Sequence, residues 1–417
     1  MEAAGKKDKG VVLKIYIENF KRLNDVFGYA YCESLLNQII TFLEKETGSK
    51  VYRYLGVEFI IILEGYSQGQ ALALAEEIGA QFDHVWKVDS TDCLCSVQMG
   101  LCSYPGIPSD ADQMLSCLNA AVSKATEANH NQAVMYDSQL HNQVMRHQQI
   151  ALYLQTAIDK EEIEVRYRPT YNLKTQKFTR AEYYMRIFIQ GIGLVGSGEF
   201  LPIAEDSGQI RAVEYFALEQ VGALIADLMA KGKEFESIAL PISPILFLQE
   251  DFLDQVKHVI EKYCIPAGKL ALEFNESALI TAYLNINMMM QELSEIGVEL
   301  IFNDFGSGFA GMSNILEFPV NTLKFERMFV WQLETNPKSG YVIESLTQMA
   351  NNLGLKIIAE GVETDNQVAL LSSYGCEYQQ GFYYSPTMER DVLMDIMDTH
   401  LKDSEAILAA SKAAMQR

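Results

Sequence analysis

The chain has 417 residues, room for two or three domains at about 150 residues each. Its 33 Lys and Arg against 55 Asp and Glu give a formal charge of −22. That sign disfavours non-specific DNA or RNA binding, which needs clustered cations to displace counterions, and it disfavours an anionic membrane surface. With 49% hydrophobic and 21% charged residues the composition is globular and excludes disorder. A compact anionic ligand stays open, because a local pocket can oppose the global field.

The seven cysteines (Cys32, Cys93, Cys95, Cys102, Cys117, Cys264 and Cys376) are odd in number and mostly set among apolar neighbours. They read as reduced core thiols of a cytoplasmic protein. Cys93 and Cys95 form the only close pair, and no His or second pair stands at ligand spacing around them. The six histidines show no triad or metal spacing. No apolar run reaches a membrane span, and MEAAGKKDKG lacks the apolar core of a signal peptide.

From residue 11 to 136 the predicted order is strand, helix, two strands, helix, strand, helix, strand. VVLKIYI is a β-branched run, ESLLNQIITFLEKE has helical spacing, and VYRYLGVEFIIIL reads as two strands about a turn at Leu55-Gly56. QALALAEEIGAQF, CSVQMGLCSY, DADQMLSCLNAAVSKATEA and AVMY follow as helix, strand, helix and strand. This is an α+β unit on a mostly antiparallel sheet. The expected boundaries are a first domain over 1–138, a connecting helix over 139–158 and a second domain over 159–417. The helix is apolar at Leu140, Val144, Ile150, Leu154 and Ile158, a spacing suited to interdomain packing.

Past residue 160, strand and helix alternate. EVRYRP, FTRAEYYMRI, SIALPIS, LALEF, VELIFND, TLKF, LKIIAE and EYQQGFYY are strand candidates, most of them separated by helical stretches. Eight strands in about 260 residues is the arithmetic of a TIM-type (β/α)8 barrel, so the expected class is α/β. Strand ends in such a barrel meet at one mouth. There the sequence places Glu182, Glu273, Glu276, Asn303, Asp304, Lys324 and Glu360, with Asp304 running into FGSGF. Converging carboxylates repel unless cations or protons neutralise them, and a divalent-metal site for phosphoryl transfer needs such residues.

These residues carry a resemblance. Glu182-Tyr183-Tyr184-Met185-Arg186 stands where the EAL family, hydrolases of the bacterial second messenger cyclic di-GMP, has E-x-L-x-R. FLPIAEDSGQI, LEFNES, NDFGSGFAGMSNI, LKFERMFV, IIAEGVET and GCEYQQGFYYSP follow in family order, so residues 160–395 resemble an EAL domain. ENFKRLNDVFGYAYCESLL and RYLGVEF, residues 53–59, resemble the first block and signature hairpin of a GGDEF domain, the diguanylate cyclase fold. The tandem order is common in that signalling system.

Both motifs are degenerate. The cyclase signature reads Leu55-Gly56-Val57-Glu58-Phe59; leucine obstructs the phosphate approach that glycine permits, and Val57 cannot ligate a metal. The family's other metal-binding Asp falls on Tyr16, and its inhibitory R-x-x-D on Glu46 and Ser49, while guanine-contacting Asn24 is kept. In the second half the resemblance implies metal ligation by Glu182, Glu273, Asp304 and Glu326. Pro241 replaces a ligating Asn, and Asn303 replaces the Asp that bridges two metals. Lys324 and Glu360 would be catalytic only in an active enzyme. For the dinucleotide, the resemblance implies a pocket of Arg168, Tyr184, Arg186, Asp304, Glu360 and Gln380. Tyr184 stands where a leucine packs on a guanine, and would either stack on the base or plug the slot. Gly306, Gly308 and Gly361 have a plainer reading as turn-formers, as does Lys324 as a neutraliser of acids.

The expected function is a catalytically degenerate GGDEF–EAL signalling protein, a cyclic di-GMP receptor acting through its barrel. It needs no cofactor and passes its signal to an unidentified protein partner. One alternative is a weak phosphodiesterase using Mg or Mn. The other is a protein-interaction module that binds no nucleotide, its pocket closed by Tyr183 and Tyr184. A homodimer is a further expectation, as is a cytoplasmic location, alone or as the cytosolic part of a longer protein.

Overall fold

The computed structural model describes residues 9–415 except 89–90, 128–129, 161, 276–282 and 306–312. The chain divides into two compact units, 1–148 and 149–417. Among the described residues no helix is long and apolar enough to cross a membrane.

In the first unit β1 (Gly10–Ile17) lies antiparallel between β3 (Glu58–Glu64) and β6 (Val97–Tyr104). β2 (Val51–Arg53) extends the sheet antiparallel on β3, and β7 (Ala133–Tyr136) extends it parallel on β6, so the sheet is mixed. Helices α1 (Phe20–Phe27), α2 (Tyr29–Thr47), α3 (Gln68–Phe82) and α4 (Ala111–Thr126) accompany it. The β2–β3 turn falls at Leu55-Gly56 as the sequence predicts, with Gly56 at φ 54°, where a side chain would be strained. The sequence reading missed α1 and the hairpin of β4 (Trp86–Val88) and β5 (Thr91–Cys93). One is only two turns long and the others three residues each, too short for a period to register. Six cysteines are buried, Cys264 is exposed, and all seven are free thiols.

α5 (Ser138–Ala157) overlaps the expected helix over 139–158, ending one residue before it, and the division between the units falls within α5. Its Leu140 is buried in the first unit, and its Ile150 and Leu154 in the core of the second.

The second unit is a closed eight-stranded barrel. Its strands are β8 (Ile163–Asn172), β9 (Lys177–Ile189), β11 (Ser237–Pro241), β12 (Leu270–Asn275), β13 (Glu299–Phe305), β14 (Thr322–Phe325), β15 (Lys356–Glu360) and β16 (Tyr378–Gln380), with β10 (Gly193–Gly196) as a hairpin arm on β9. The eight predicted strands are these eight. The strict (β/α)8 expectation needs one correction: β8 runs antiparallel to both its neighbours, β9 and β16. Four residues, 173–176, join β8 to β9, too few for a crossover helix, so the pair is a hairpin. The other seven strands are mutually parallel and nearly continuous in buried residues, as strands covered on both faces must be. Around them lie α6 (Ser197–Asp206), α7 (Ile210–Ala230), α8 (Phe252–Lys262), α9 (Tyr283–Glu295), α10 (Ser313–Glu317), α11 (Arg327–Trp331), α12 (Pro337–Asn352), α13 (Asp365–Ser373), α14 (Arg390–Ile396) and α15 (Leu401–Met415).

Candidate functional site

The β8–β9 ladder builds one wall of the barrel mouth. Its register sets Glu164 opposite Arg186, Arg166 opposite Tyr184 and Arg168 opposite Glu182. Strand alternation puts these side chains on one face and Tyr167, Tyr183 and Met185 on the other. Tyr183 is fully buried, packed edge-on against Tyr167 with ring centroids 5.7 Å apart. It cannot close the pocket, which corrects the expectation that paired it with Tyr184. Tyr184 does face the mouth: Arg168 donates to its hydroxyl at 3.1 Å and lies over its ring at 4.6 Å.

Parallel strands bring the remaining acids to the same level. Lys324, at the end of β14, donates to Glu182 at 2.5 Å and Glu273 at 3.2 Å, and lies 3.6 Å from Glu360. Arg168 donates to Glu360 at 3.2 Å. Lys324 is 1% exposed, and Glu182 and Glu273 are also buried, so little solvent screens these charges. Burial opposes the ionisation of Glu182, but Lys324 and Arg168 override it and hold the carboxyl below its ordinary range. Burial, reinforced by the charge of Glu182, pushes Glu273 up to about 8. Two buried carboxyls beside one lysine thus divide into one charged and one neutral.

Two positions of this arrangement lack the ligands that a pair of divalent cations calls for. The centre of the carboxylates is taken by the ammonium of Lys324. Pro241, at the end of β11 and paired in register with Glu273, offers no side-chain oxygen. Asn303 accepts from the backbone N–H of Asp304 at 2.9 Å and carries no charge. Among the described residues no three His, Cys, Asp or Glu converge with metal-holding geometry.

The other expected site residues are more scattered. Asp304 is half-buried at φ 53°, where β13 breaks register with β14; Asp tolerates this left-handed conformation better than most residues. Glu326 is half-buried just before α11, and no hydrogen bond or ion pair joins it to Lys324 among the described residues. Gln380 is 1% exposed and lies inside the barrel, its amide donating to Thr170 at 3.1 Å and to the Arg168 carbonyl at 3.4 Å. Its carbonyl oxygen is buried without a partner. Arg186 is held by Glu164 at 2.6 and 2.7 Å. Gly361 does shape a turn, at φ 84°, where a Cβ would lie 2.9 Å from that of Arg327. Glu276, Gly306 and Gly308 lie outside the described residues.

Three features escaped the sequence reading. One is the Glu164–Arg186 pair, whose signal is only the hairpin register. The second is an ionic cluster at the opposite end of the barrel, where Arg180 donates to Glu299 at 2.9 Å and to Glu236 at 3.0 Å. Its signal is a polar residue at or just before the start of successive strands. The third is Lys14, buried in β1 and 3.0 Å from Glu58. The retained signature acid is therefore neutralised by a lysine. The cleft beside it, about 670 Å³, is lined by Tyr16, Asn19, Lys21, Asn24, Leu55 and Val57.

Comparison with known proteins matches both halves of the chain. The family model for the EAL domain matches residues 152–387, and that for the diguanylate cyclase GGDEF domain matches residues 1–132. The signaling protein YkoW of Bacillus subtilis is 28% identical over 383 residues, 90% of this chain and 47% of that protein. The bifunctional diguanylate cyclase/cyclic di-GMP phosphodiesterase MucR of Pseudomonas aeruginosa is 24% identical over 385 residues, 92% of this chain and 56% of that protein. The chain thus spans about half the length of these relatives. A solved structure of the PaMucR phosphodiesterase in complex with c-di-GMP superposes with a TM-score of 0.56 at 26% identity, covering 59% of this chain and 99% of the other. With more than half its length matched by the EAL model and the GGDEF model matching ahead of it, the chain belongs to the EAL-domain family in the tandem GGDEF–EAL arrangement.

Proposed function

We propose that this chain is a cyclic di-GMP signalling protein whose EAL barrel binds the dinucleotide without hydrolysing it efficiently, and whose GGDEF domain makes none. The observation that carries the reading is the pair of uncharged residues Pro241 and Asn303, which stand at strand ends of the mouth where the family's hydrolases place metal ligands. Without those two ligands the metal that would activate a water is held weakly, while Lys324 still neutralises the wall beside a dianionic ligand. Arg168 and Arg186 offer guanidinium groups to the phosphates, and Tyr184 offers an aromatic face to a base. The substitutions at Tyr16, Leu55 and Val57 remove the metal and phosphate contacts of cyclase chemistry. The protein then works in the cytoplasm through an unidentified protein partner, alone or as a homodimer.

A second reading, a weak Mg- or Mn-dependent phosphodiesterase, is favoured by retained Glu182, Glu273, Lys324 and Glu360 and by the activity in the name of the relative MucR. A calorimetric titration of cyclic di-GMP with EDTA present separates the two. Micromolar or tighter binding without metal supports the receptor. Binding only after manganese is added, with linear dinucleotide formed, supports the enzyme. No binding under either condition leaves an interaction module. Arg186→Ala should weaken binding by about tenfold, the worth of one charge-assisted hydrogen bond; unchanged affinity removes Arg186 from the pocket.

A further inference from the structure

Each arginine on the inner face of the β8–β9 hairpin mouth is already held by a carboxylate of this chain. Arg168 donates to Glu360. Arg186 donates through Nε and Nη2 to the two oxygens of Glu164, at 2.6 and 2.7 Å. Arg166 closes on the same Glu164 and lies 3.1 Å from Glu389. The side-on, two-point grip of Glu164 on Arg186 is the geometry in which a guanidinium also takes a phosphate. Carboxylate and phosphodiester therefore compete for the same edge of the same side chain.

We propose that Glu164 is an internal competitor for Arg186: its carboxylate occupies the anion-binding edge of the arginine, and an incoming phosphodiester must displace it. This rests on the reading of the mouth as a cyclic di-GMP pocket. Displacement is physically reasonable on three counts. The pair lies at the rim, with Glu164 40% and Arg186 26% exposed, so neither charge is stranded dry when they part. Arg166 gives the displaced carboxylate a second partner, so its negative charge stays compensated. Hydrogen bonding from Arg186, with Arg166 behind it, holds Glu164 below the ordinary carboxylate range, so a proton does not release it near neutral pH and an anion must. Glu164 thereby sets how strongly charged a ligand must be to enter. The opposite role, a brace that orients Arg186 for the ligand, makes the opposite prediction.

The test is a calorimetric titration of cyclic di-GMP into the full chain and into Glu164→Ala, Glu164→Gln, Glu389→Ala and the Glu164→Ala/Arg186→Ala double variant. The same series is run with inorganic pyrophosphate. Competition predicts that both Glu164 variants bind tighter, on the order of tenfold, the worth of one hydrogen bond to a charged group. Glu389→Ala removes an equal charge that acts on Arg186 at longer range, with no hydrogen bond or ion pair joining the two among the described residues, and should gain far less than the Glu164 variants, while the double variant should lose the gain. Unchanged or weaker binding in the Glu164 variants overturns the proposal, as does an equal gain in Glu389→Ala. If the wild type binds no cyclic di-GMP, the receptor reading fails by itself and pyrophosphate decides the competition. Tighter binding in the Glu164 variants than in the wild type upholds it, and equal or weaker binding overturns it.

Discussion

At the N-terminal end of the barrel strands, Arg180 is held between Glu236 and Glu299; at the C-terminal end, Lys324 is held among Glu182, Glu273 and Glu360. Both clusters sit a buried cation among carboxylates. They differ in how completely the carboxylates are satisfied. At the floor, Glu236 also accepts from Thr179, Tyr378 and Lys356, and Glu299 from Thr322. Burial opposes ionisation of both acids, yet Arg180 and these donors hold both below the ordinary range. At the mouth the carboxyls outnumber the lysine, one is driven toward neutrality, Gln380 keeps an orphan oxygen, and Asp304 takes a left-handed backbone. A closed network is what stability selects; imbalance and local strain at strand C-termini are what a binding site retains. A buried cluster of charge is therefore not by itself a sign of function: its unsatisfied remainder is.

The sharpest way to break this contrast is Arg180→Met. It leaves Glu236 and Glu299 buried without their cation and should cost about 3–5 kcal/mol of barrel stability in denaturant unfolding, with ligand binding intact in the folded fraction. A loss under 1 kcal/mol would mean that the floor is not the closed network described. Lys324→Met should cost less, because Glu273 can hold a proton. It should also turn the carboxylates into a cation site, so that manganese raises its melting temperature and leaves the wild type unchanged; equal responses would show that Lys324 never excluded the metal.

The pH dependence separates a satisfied carboxylate from an orphaned one. Glu236, lowered from 4.5 to about 2, stabilises the fold above 4.5, and that stability is lost as pH falls toward 2. Glu214, on α7, is the opposite case. Burial pushes it up to about 8, and one of its oxygens has no partner. The native state binds the extra proton, so its contribution is full below 4.5 and is lost as pH rises to about 8. Thermal melts should show Glu214→Gln flattening the decline between pH 4.5 and about 8 alone. The smallest effect belongs to Tyr183, whose hydroxyl is buried without a partner. Tyr183→Phe should be neutral or stabilising by up to about 1 kcal/mol, with unchanged ligand affinity, since the ring faces away from the mouth.

Much of this was legible in the sequence, for identifiable reasons. Apolar runs bounded by turn residues marked all eight barrel strands, and an acid or lysine at their ends marked the mouth. Strand parity alone separates Tyr183 from Tyr184, so only Tyr184 stays available for the closed-pocket alternative. What stayed hidden depended on pairing. The antiparallel course of β8 leaves no trace in its own residues, and the Glu164–Arg186 and Arg180–Glu236 contacts are fixed by which strand lies beside which. The kept motif marks Gln380 as a ligand contact, and the structure sets it level with Glu360, buried and with its carbonyl oxygen unpartnered.

The reversed direction of β8 has a consequence for how the barrel must assemble. β8 and β9 can zip locally, whereas the far edge of β8 meets only β16, through Tyr378 opposite Asn172 and Gln379 opposite Tyr171. Asn172 also bonds Glu377, 205 residues away. A nascent or truncated chain ending before this short strand would hold two open edges, on β8 and β15, each a template for another copy. Three residues near the C-terminal end of the domain thus act as the clasp of the barrel, and their loss should appear as self-association before any loss of secondary structure.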